Sequence, residues 1–415
     1  MTAGVSSPIT VKGIEVSMKV PIETEAALLT GGFDRPYAFG LTMALAAKNI
    51  RLDVIGSDEV DSSEMHATPH VNFLNLQGSM RSTGLLTKIS NVLKYYARLF
   101  RYTATARPKI FHILWNNKFQ YFDRTLLLLY YKLLGKKLLL TVHNVNAGKR
   151  DDNDSFLNRL TLKIQYRTVD HLFVHTEKMK GELLQDFGIK AKAVSVIPFG
   201  INNSVPDTEL TPALAKQHLG IKDGEKVMLF FGAIRPYKGL EYLVNAFLKL
   251  AEKDSKYRLI IAGEPKKDCE KYIGDIQQVI SDSPHGSRVI QKTEHVPDEE
   301  TELYFKAADV LVLPYTHVFQ SGVLFLGYSF GLPVVAADVG SLKEEIIEGQ
   351  TGFSCKPCDS EELAKAIKKY FESDLFLHLN QKKQEIKDYA NAQHSWDVVG
   401  EITRDVYAKL LGERQ

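Results

Sequence analysis

A chain of 415 residues is too long for one ordinary core, and two domains of roughly 200 residues each are expected. Its 25% charged and 44% hydrophobic composition is that of a soluble globular protein, and a net charge of +2 argues against a general nucleic-acid binder. Three cysteines cannot build a disulfide framework, so a reducing cytoplasm is the expected compartment.

In chain order, the opening "MTAGVSSPITVKGIEVS" lacks the basic-then-apolar order of a secretory leader. The segments "RLDVIG", "KIFHILWN", "KKLLLTVHN", "DHLFVHT" and "AVSVIP" read as strands with helices between them. The most apolar stretch, "LLLLYYKLLGKKLLLTV", is broken by Lys132, Gly135, Lys136 and Lys137 and falls short of the ~18 apolar residues of a membrane span. The polar "FGINNSVPDTELTPALAKQ" has no strong period and places a domain junction near residues 199–222. Beyond it the grammar is cleaner: "KVMLFFG", "YRLIIAGE", "SRVIQ", "ADVLVLP" and "LPVVAAD" are short, continuously apolar runs. Such runs suit strands covered on both faces. In "GLEYLVNAFLKLAEK", Leu240, Leu243, Val244, Phe247 and Leu250 recur at steps of three and four, one buried helix face. Cys355 and Cys358 stand in "TGFSCKPCDS", which reads as a loop without a second cysteine pair to complete a zinc site. The chain then ends in an almost wholly helical tail. This alternation predicts two doubly wound parallel α/β domains facing a cleft, where ligands meet the C-terminal ends of strands.

Two strand-to-helix turns carry the chemistry. In "VMLFFGAIRPYKGLEYLV" a strand ends at Gly232, the loop holds Arg235 and Lys238, and a helix is expected from about Gly239. Glycine permits close backbone approach, and the two cations with a helix N-terminus suit a diphosphate. The plain alternative is two solvated loop cations. In "FQSGVLFLGYSFGLPVV", Ser321 is an expected N-cap, Gly322 opens a helix running to Phe330, and Gly331 and Pro333 stop it. From Gln320 to Ala337 no side chain is charged, so this second turn offers only backbone N–H groups and the Gln320 amide. Its plain alternative is a buried crossover helix.

Together "FFGAIRPYKGLEYLVNAF", "LIIAGE", "VPDEETELYFKAADVLVLPY" and "GLPVVAADVGSLKEEIIEGQTGFSC" resemble the donor-binding domain of retaining glycosyltransferases of family 4, which have the GT-B fold. "LLTVHNV" and "VIPFGIN" extend the resemblance into the first half. It implies an acceptor-binding Rossmann-like domain over 1–205, a nucleotide-sugar-binding one over 206–392, and a helix over 393–415 crossing back to the first. It also implies metal-independent transfer without an enzyme nucleophile, the nucleotide-diphosphate sugar being a substrate and no further cofactor being needed. Arg235 and Lys238 resemble the cations on the donor diphosphate, Gly232 the close-approach glycine, and Ser321, Gly322 and Val323 the phosphate-facing turn. Glu264 follows the "IIAG" strand, while His295 and Val296 lie in the loop that lines the base. Gly31 and Gly32 resemble the N-terminal glycine loop, and His143 the histidine beside the transferred sugar. Many members carry two glutamates eight positions apart that touch the sugar and ribose; here those positions are Val318 and Leu326, and Gln320 is the nearest polar substitute. The alternatives are a nucleotide-sugar 2-epimerase of the same fold and a non-catalytic glycosyltransferase-like binding subunit.

From Met80 to Arg150 the only acidic residue is Asp123, against fourteen lysines and arginines. Within "LTKISNVLKYYARLFRYTATARPK" the cations alternate with Tyr95, Tyr96, Phe100 and Tyr102. Basic helices with aromatic residues suit anionic lipid surfaces, so peripheral association with the inner face of a membrane and a glycan or lipid-linked acceptor are expected. No RNA-binding motif surrounds these rings, and nucleic acid is not an expected partner.

Overall fold

A computed structural model describes residues 24–32, 34–79, 85–150, 154–201 and 205–412. The leader reading of residues 1–17, the cation Arg81 and the side chain of Arg150 lie outside the described residues.

The first half forms a seven-stranded sheet from β1 (Glu25–Leu29), β2 (Arg51–Gly56), β3 (Val71–Asn75), β4 (Ile110–Ile113), β5 (Lys137–Thr141), β6 (His171–Val174) and β7 (Val194–Val196). The second half forms a six-stranded sheet from β8 (Lys226–Phe231), β9 (Tyr257–Ala262), β10 (Val289–Lys292), β11 (Val310–Leu313), β12 (Val334–Ala337) and β13 (Gly352–Cys355). Their orders, β3-β2-β1-β4-β5-β6-β7 and β10-β9-β8-β11-β12-β13, both reverse direction beside the first strand of each sheet. Such switch points open a crevice at the carboxyl ends of the strands, and each sheet aims one at the space between the halves.

Three of these strands do not show in the sequence patterns. β1 reads "EAALL", made of good helix formers, yet it pairs with β2 and β4 on its two sides and buries Ala26, Ala27 and Leu28 completely. Neighbouring strands override the local preference. β3 is a half-exposed edge strand with two asparagines. β13 falls where a loop was expected: Cys355 closes a strand paired to Ala337, and only Cys358 lies beyond it.

The segment without a strong period contains a helix, Pro212–His218. Thr211 caps it through a 3.2 Å bond from Leu214 N, and Pro212 occupies its first turn. Upstream, Thr208 N and Oγ1 each bond Glu302 at 2.8 Å, which anchors the connection to the second half.

The helical tail returns. Helix Leu379–Gln393 packs on helix Gly322–Ser329, and helix Trp396–Leu411 packs on helix Arg35–Ala47 of the first half. Trp396 is wedged at the junction, its Nε1 donating to the Ile201 carbonyl at 2.9 Å. A methyl group at Gly40 would lie 2.1 Å from the indole, and one at Gly200 2.2 Å, so only glycine leaves room at either place. Farther along, the Tyr407 hydroxyl meets buried His112 Nδ1 at 2.8 Å, while His112 Nε2 meets the Thr141 hydroxyl at 2.8 Å.

The basic stretch is less uniform than its composition. Lys132 pairs with Asp170 at 2.5 Å, Lys136 donates to the Ala106 and Pro108 carbonyls at 2.7 and 2.9 Å, and Arg124 is buried. Tyr95 and Tyr96 are buried as well, bonded to Asn117 and Asp123. Lys88, Lys94, Arg98, Arg101, Arg107, Lys109, Lys118, Lys137 and Lys149 remain exposed.

Candidate active site

β8 ends in Gly232, whose φ of 95° favours glycine. A side chain there would meet Lys238 Nζ at 3.0 Å and Val323 at 3.4 Å, so the two turns converge on this glycine. Lys238 closes a short 3₁₀ turn (Pro236–Lys238), and the following helix begins at Leu240 after Gly239, one residue later than the sequence suggests. Its side chain is 7% exposed. Its ammonium lies 5.5 Å from the Tyr315 ring centre and 6.0 Å from that of Phe230, and no carboxylate among the described residues forms an ion pair with it. Burial pulls its pKa down to about 8, and the Arg235 charge adds to this. A buried cation beside aromatic rings, with no carboxylate partner among the described residues, suits an anionic ligand.

Ser321 occupies the N-cap position of helix Gly322–Ser329 but makes no capping bond. Its hydroxyl lies 3.3 Å from that of Tyr315 instead, so the first N–H groups of this helix are not answered by their own cap. Gln320 Nε2 donates to Glu345 at 3.0 Å, and its Oε1 is buried without a partner among the described residues. The other Glu345 oxygen lies 3.1 Å from His394 Nε2. Glu345 thus orients the amide, although it is 25 residues away in sequence.

Between the halves lies a cavity of about 330 Å³. Asp34, Tyr37, Asn144 and Phe199 form its first-half wall; Tyr237, Lys238 and residues 320–323 form the opposite wall, and Trp396 closes one end. Val318 and Leu326 line the same space, so the two positions without carboxylates do face the cavity, and they face it with apolar groups. Tyr237, Tyr315, Asn144 and Trp396 had no role in the sequence reading. Tyr315 closes the apolar run "ADVLVLP", a signal that was available, whereas Trp396 looks like any residue of an amphipathic tail helix.

His143 sits two residues past β5 in an aromatic setting. It stacks on Trp115 with ring centres 4.2 Å apart and planes within 3°, and Tyr37 meets it edge-on at 4.7 Å. Its Nδ1 lies 3.2 Å from His175 Nε2, while His175 Nδ1 faces the Ile197 carbonyl at 3.3 Å. The carbonyl assigns the proton of His175 to Nδ1, so His175 accepts and His143 donates. His143 Nε2 is left as a buried lone pair without a partner among the described residues. Burial, with His175 beside it, holds the ring far below its ordinary pKa and therefore neutral at pH 7.

The remaining expected residues are spread around this centre. Gly31 has φ 64°, and a side chain there would also collide with Trp115 at 2.8 Å; it lines a small neighbouring pocket with Lys88 and Asn117, not the main cavity. Gly32 N donates to Thr30 Oγ1 at 3.1 Å, which shapes the same turn. Arg235 is half-buried just before the 3₁₀ turn. Glu264 is exposed, 3.8 Å from Lys266, and His295 is exposed beyond β10. Val296 is buried in the second-half core. These four stand at successive strand ends beside the cavity, outside its wall.

Residues 213–393 match the family model described as Glycosyl transferases group 1, and residues 36–205 that described as Glycosyltransferase Family 4. The D-inositol 3-phosphate glycosyltransferase of Corynebacterium diphtheriae is 28% identical over 243 residues, covering 57% of this chain and 56% of that protein. The glycogen synthase of Mycobacterium tuberculosis is 27% identical over 287 residues, 67% of this chain and 64% of that one. The chain thus spans less than two thirds of the length of either relative. Sucrose-phosphate synthase from Thermosynechococcus elongatus superposes with a TM-score of 0.75 at 20% identity, covering 94% of this chain and 100% of that one. Anabaena Alr3699/HepE in complex with UDP-glucose gives 0.69 at 18%, covering 94% and 100%. At these identities the likeness is one of fold. Two parallel sheets facing a cleft, a tail helix returning to the first and a family model on each half lead to one conclusion: the chain belongs to the family 4 type of glycosyltransferases with the GT-B fold.

Proposed function

We propose that the protein transfers a sugar, with retention of anomeric configuration, from a nucleotide-diphosphate-sugar donor to a glycan or lipid-linked acceptor in polysaccharide or glycoconjugate synthesis. The observation that carries this reading is Lys238, a buried cation on the cavity wall that has no ion-pair partner among the described residues, beside an uncapped helix start. As the bond from the sugar C1 to the diphosphate oxygen breaks, negative charge grows on the leaving group. Lys238, Arg235 and the N–H groups of the Gly322 turn stabilise it in the place of a metal ion. The departing oxygen takes the proton of the attacking acceptor hydroxyl on the same face, so retention needs no enzyme nucleophile. The lone pair of neutral His143 accepts a sugar hydroxyl, and Gln320 serves where other members have carboxylates.

An exposed apolar surface on the first half supports a membrane partner. Leu126, Leu129 and Leu133 follow one face of the 120–133 helical segment, and Phe156, Leu157 and Leu160 one face of the adjoining helix Phe156–Thr168; Leu133 is 86% and Phe156 82% exposed. Ile89, Leu93, Phe119 and Tyr121 continue the surface, and the exposed Lys88, Lys94, Arg98 and Lys118 accompany it. Apolar residues among cations suit an anionic lipid leaflet, which supports peripheral association with the inner face of a membrane. No helix among the described residues is long and apolar enough to cross one.

The test is a panel of nucleotide sugars incubated with the protein, with and without membrane lipid extract, and read by mass spectrometry. Release of nucleoside diphosphate with transfer or slow hydrolysis supports the proposal. Interconversion of the donor sugar without release supports a 2-epimerase. Binding without turnover supports a binding subunit, the reading that the apolar Val318 and Leu326 favour. Unchanged turnover and donor binding in Arg235→Ala and Lys238→Ala proteins would overturn the site assignment.

A further inference from the structure

The first half holds another cavity, of about 500 Å³, beside His143. Trp115, Asn116, Gln120, Arg124 and Gln165 share its wall. Two residues of the wall are charged: Lys118, which is exposed, and Arg124, which is 7% exposed. The guanidinium has fixed but uncharged partners: Nη1 donates to Asn158 Oδ1 at 2.8 Å and Nη2 to Gln120 Oε1 at 3.0 Å. Asn158 is held in turn, its Nδ2 donating to Asn146 at 2.9 Å and to Asp154 at 3.0 Å. Among the described residues, Arg124 Nε is buried without a partner and no carboxylate forms an ion pair with the side chain. The neighbouring Asp123 is engaged elsewhere, accepting from the Tyr96 hydroxyl at 2.8 Å and from Asn117 at 3.5 Å.

Arginine remains charged in any protein interior, so the cost of this burial is not relieved by loss of a proton. A purely structural residue at this place would be better served by a neutral amide or by a carboxylate partner. The backbone is also unusual: Asp123–Leu127 is a π-helical turn, a distortion of the regular helix that turns Arg124 with it. The unpartnered His143 Nε2 belongs to a residue of the same wall, and Asn144 lines both this cavity and the one between the halves.

We propose that this cavity is the acceptor subsite and that it selects an acceptor bearing an oxyanion, a phosphate or carboxylate on a sugar or polyol, with Arg124 as the residue that sets the requirement. The proposal rests on the transferase reading above and specifies its second substrate. Arg124 donates to the oxyanion, and the Asn116 and Gln165 amides, which bond each other at 3.3 and 2.7 Å, turn their remaining N–H groups to the ring hydroxyls.

The test uses the full chain and calorimetric titration with glucose, glucose 6-phosphate, glucuronate and inorganic phosphate, each with and without bound UDP. Wild-type protein should bind a charged probe at least about tenfold more tightly than glucose, since a hydrogen-bonded charge contributes that much selectivity. Glucose 6-phosphate against glucuronate tells phosphate from carboxylate. Arg124→Gln should abolish the preference, Arg124→Lys should keep part of it, and UDP affinity should stay unchanged in both. Wild-type protein that binds UDP but prefers no charged probe overturns the proposal, even if Arg124→Gln fails to fold. Persistence of the preference in folded Arg124→Gln also overturns it. Loss of UDP binding in the wild type would instead strike the transferase reading, leaving the two failures distinct.

Discussion

The two halves share a strand order and face the same cleft, yet they meet it with different chemistry. The second half presents glycines, a helix start and one buried ammonium, Lys238. The first presents rings and amides: Trp115, Tyr37 and His143, with Asn116, Asn144 and Gln165. Their outer faces differ as well. In the second half several surface lysines are paired, as with Lys226 and Asp254 at 2.9 Å or Lys343 and Asp338 at 2.9 Å. In the first half Lys88, Lys94 and Lys118 form no ion pair among the described residues and stand among exposed leucines. One architecture thus carries a buried ammonium beside a helix start on one side and, on the other, rings, amides and the buried Arg124 behind an apolar and basic surface.

The sharpest way to break this contrast is to remove the buried charge that the second half presents to the cavity, Lys238. Lys238→Met should weaken binding of nucleoside diphosphate on the order of 30- to 100-fold by calorimetry. The same change should raise stability. The folded pKa, about 8, lies below the ordinary lysine value of 10.5, so the buried charge penalises folding below pH 8 and the penalty fades as pH rises toward 10.5. The stability gain of Lys238→Met, read from melting curves, should therefore be largest near pH 7, on the order of 1 to 3 kcal/mol, and small at pH 10. In the unmodified protein, affinity for nucleoside diphosphate should fall as pH passes about 8, where the free ammonium loses its proton.

The next largest effect concerns the joint between the halves. Gly40→Ala and Gly200→Ala each drive a methyl group into Trp396 and should cost about 1 to 3 kcal/mol in thermal melts. For Gly40 this reverses the usual helix preference, which favours alanine by about 1 kcal/mol. A stabilised Gly40→Ala protein would show that the tail does not hold the first half at this point.

The outer contrast is tested by Leu133→Glu with Phe156→Glu, at two strongly exposed positions. Sedimentation with anionic liposomes should drop severalfold, while stability stays within about 0.5 kcal/mol. Equal sedimentation would remove the apolar surface from the membrane argument. Smallest is Gln320→Glu, which sets a second carboxylate against Glu345, 3.0 Å from the present amide nitrogen. It should cost about 1 kcal/mol at pH 7.5 and recover near pH 5, where one carboxyl of the pair holds a proton.

Much of the second half was legible because its signals are local. Continuous apolar runs marked β8, β9, β11 and β12, and Gly232, Lys238 and Ser321 lie at the turns that turn chemistry indicated. The site was legible only in part. Lys238 and residues 320–323 meet around one cavity, but Arg235, Glu264 and His295 stand outside its wall, and sequence spacing cannot tell a wall from a rim. The Ser321 cap was misread because a serine before a helix has a second choice, and here it lies against Tyr315.

By itself, the sequence determined the class of fold, the direction of alternation, the turns that approach a diphosphate and the surplus of positive charge in the first half. These follow from composition and from periods of two and 3.6 residues, which every short segment carries within itself. Only the tertiary structure decided that "EAALL" is a strand, that Trp396 fills the gap between Gly40 and Gly200, and that Glu345 aims Gln320. It alone decided which nitrogen of His143 is bare and that Arg124, one cation among fourteen, is buried without a carboxylate partner. Each of these depends on groups tens or hundreds of residues apart. Burial and hydrogen-bond partners are properties of the packed chain, and no local pattern encodes them.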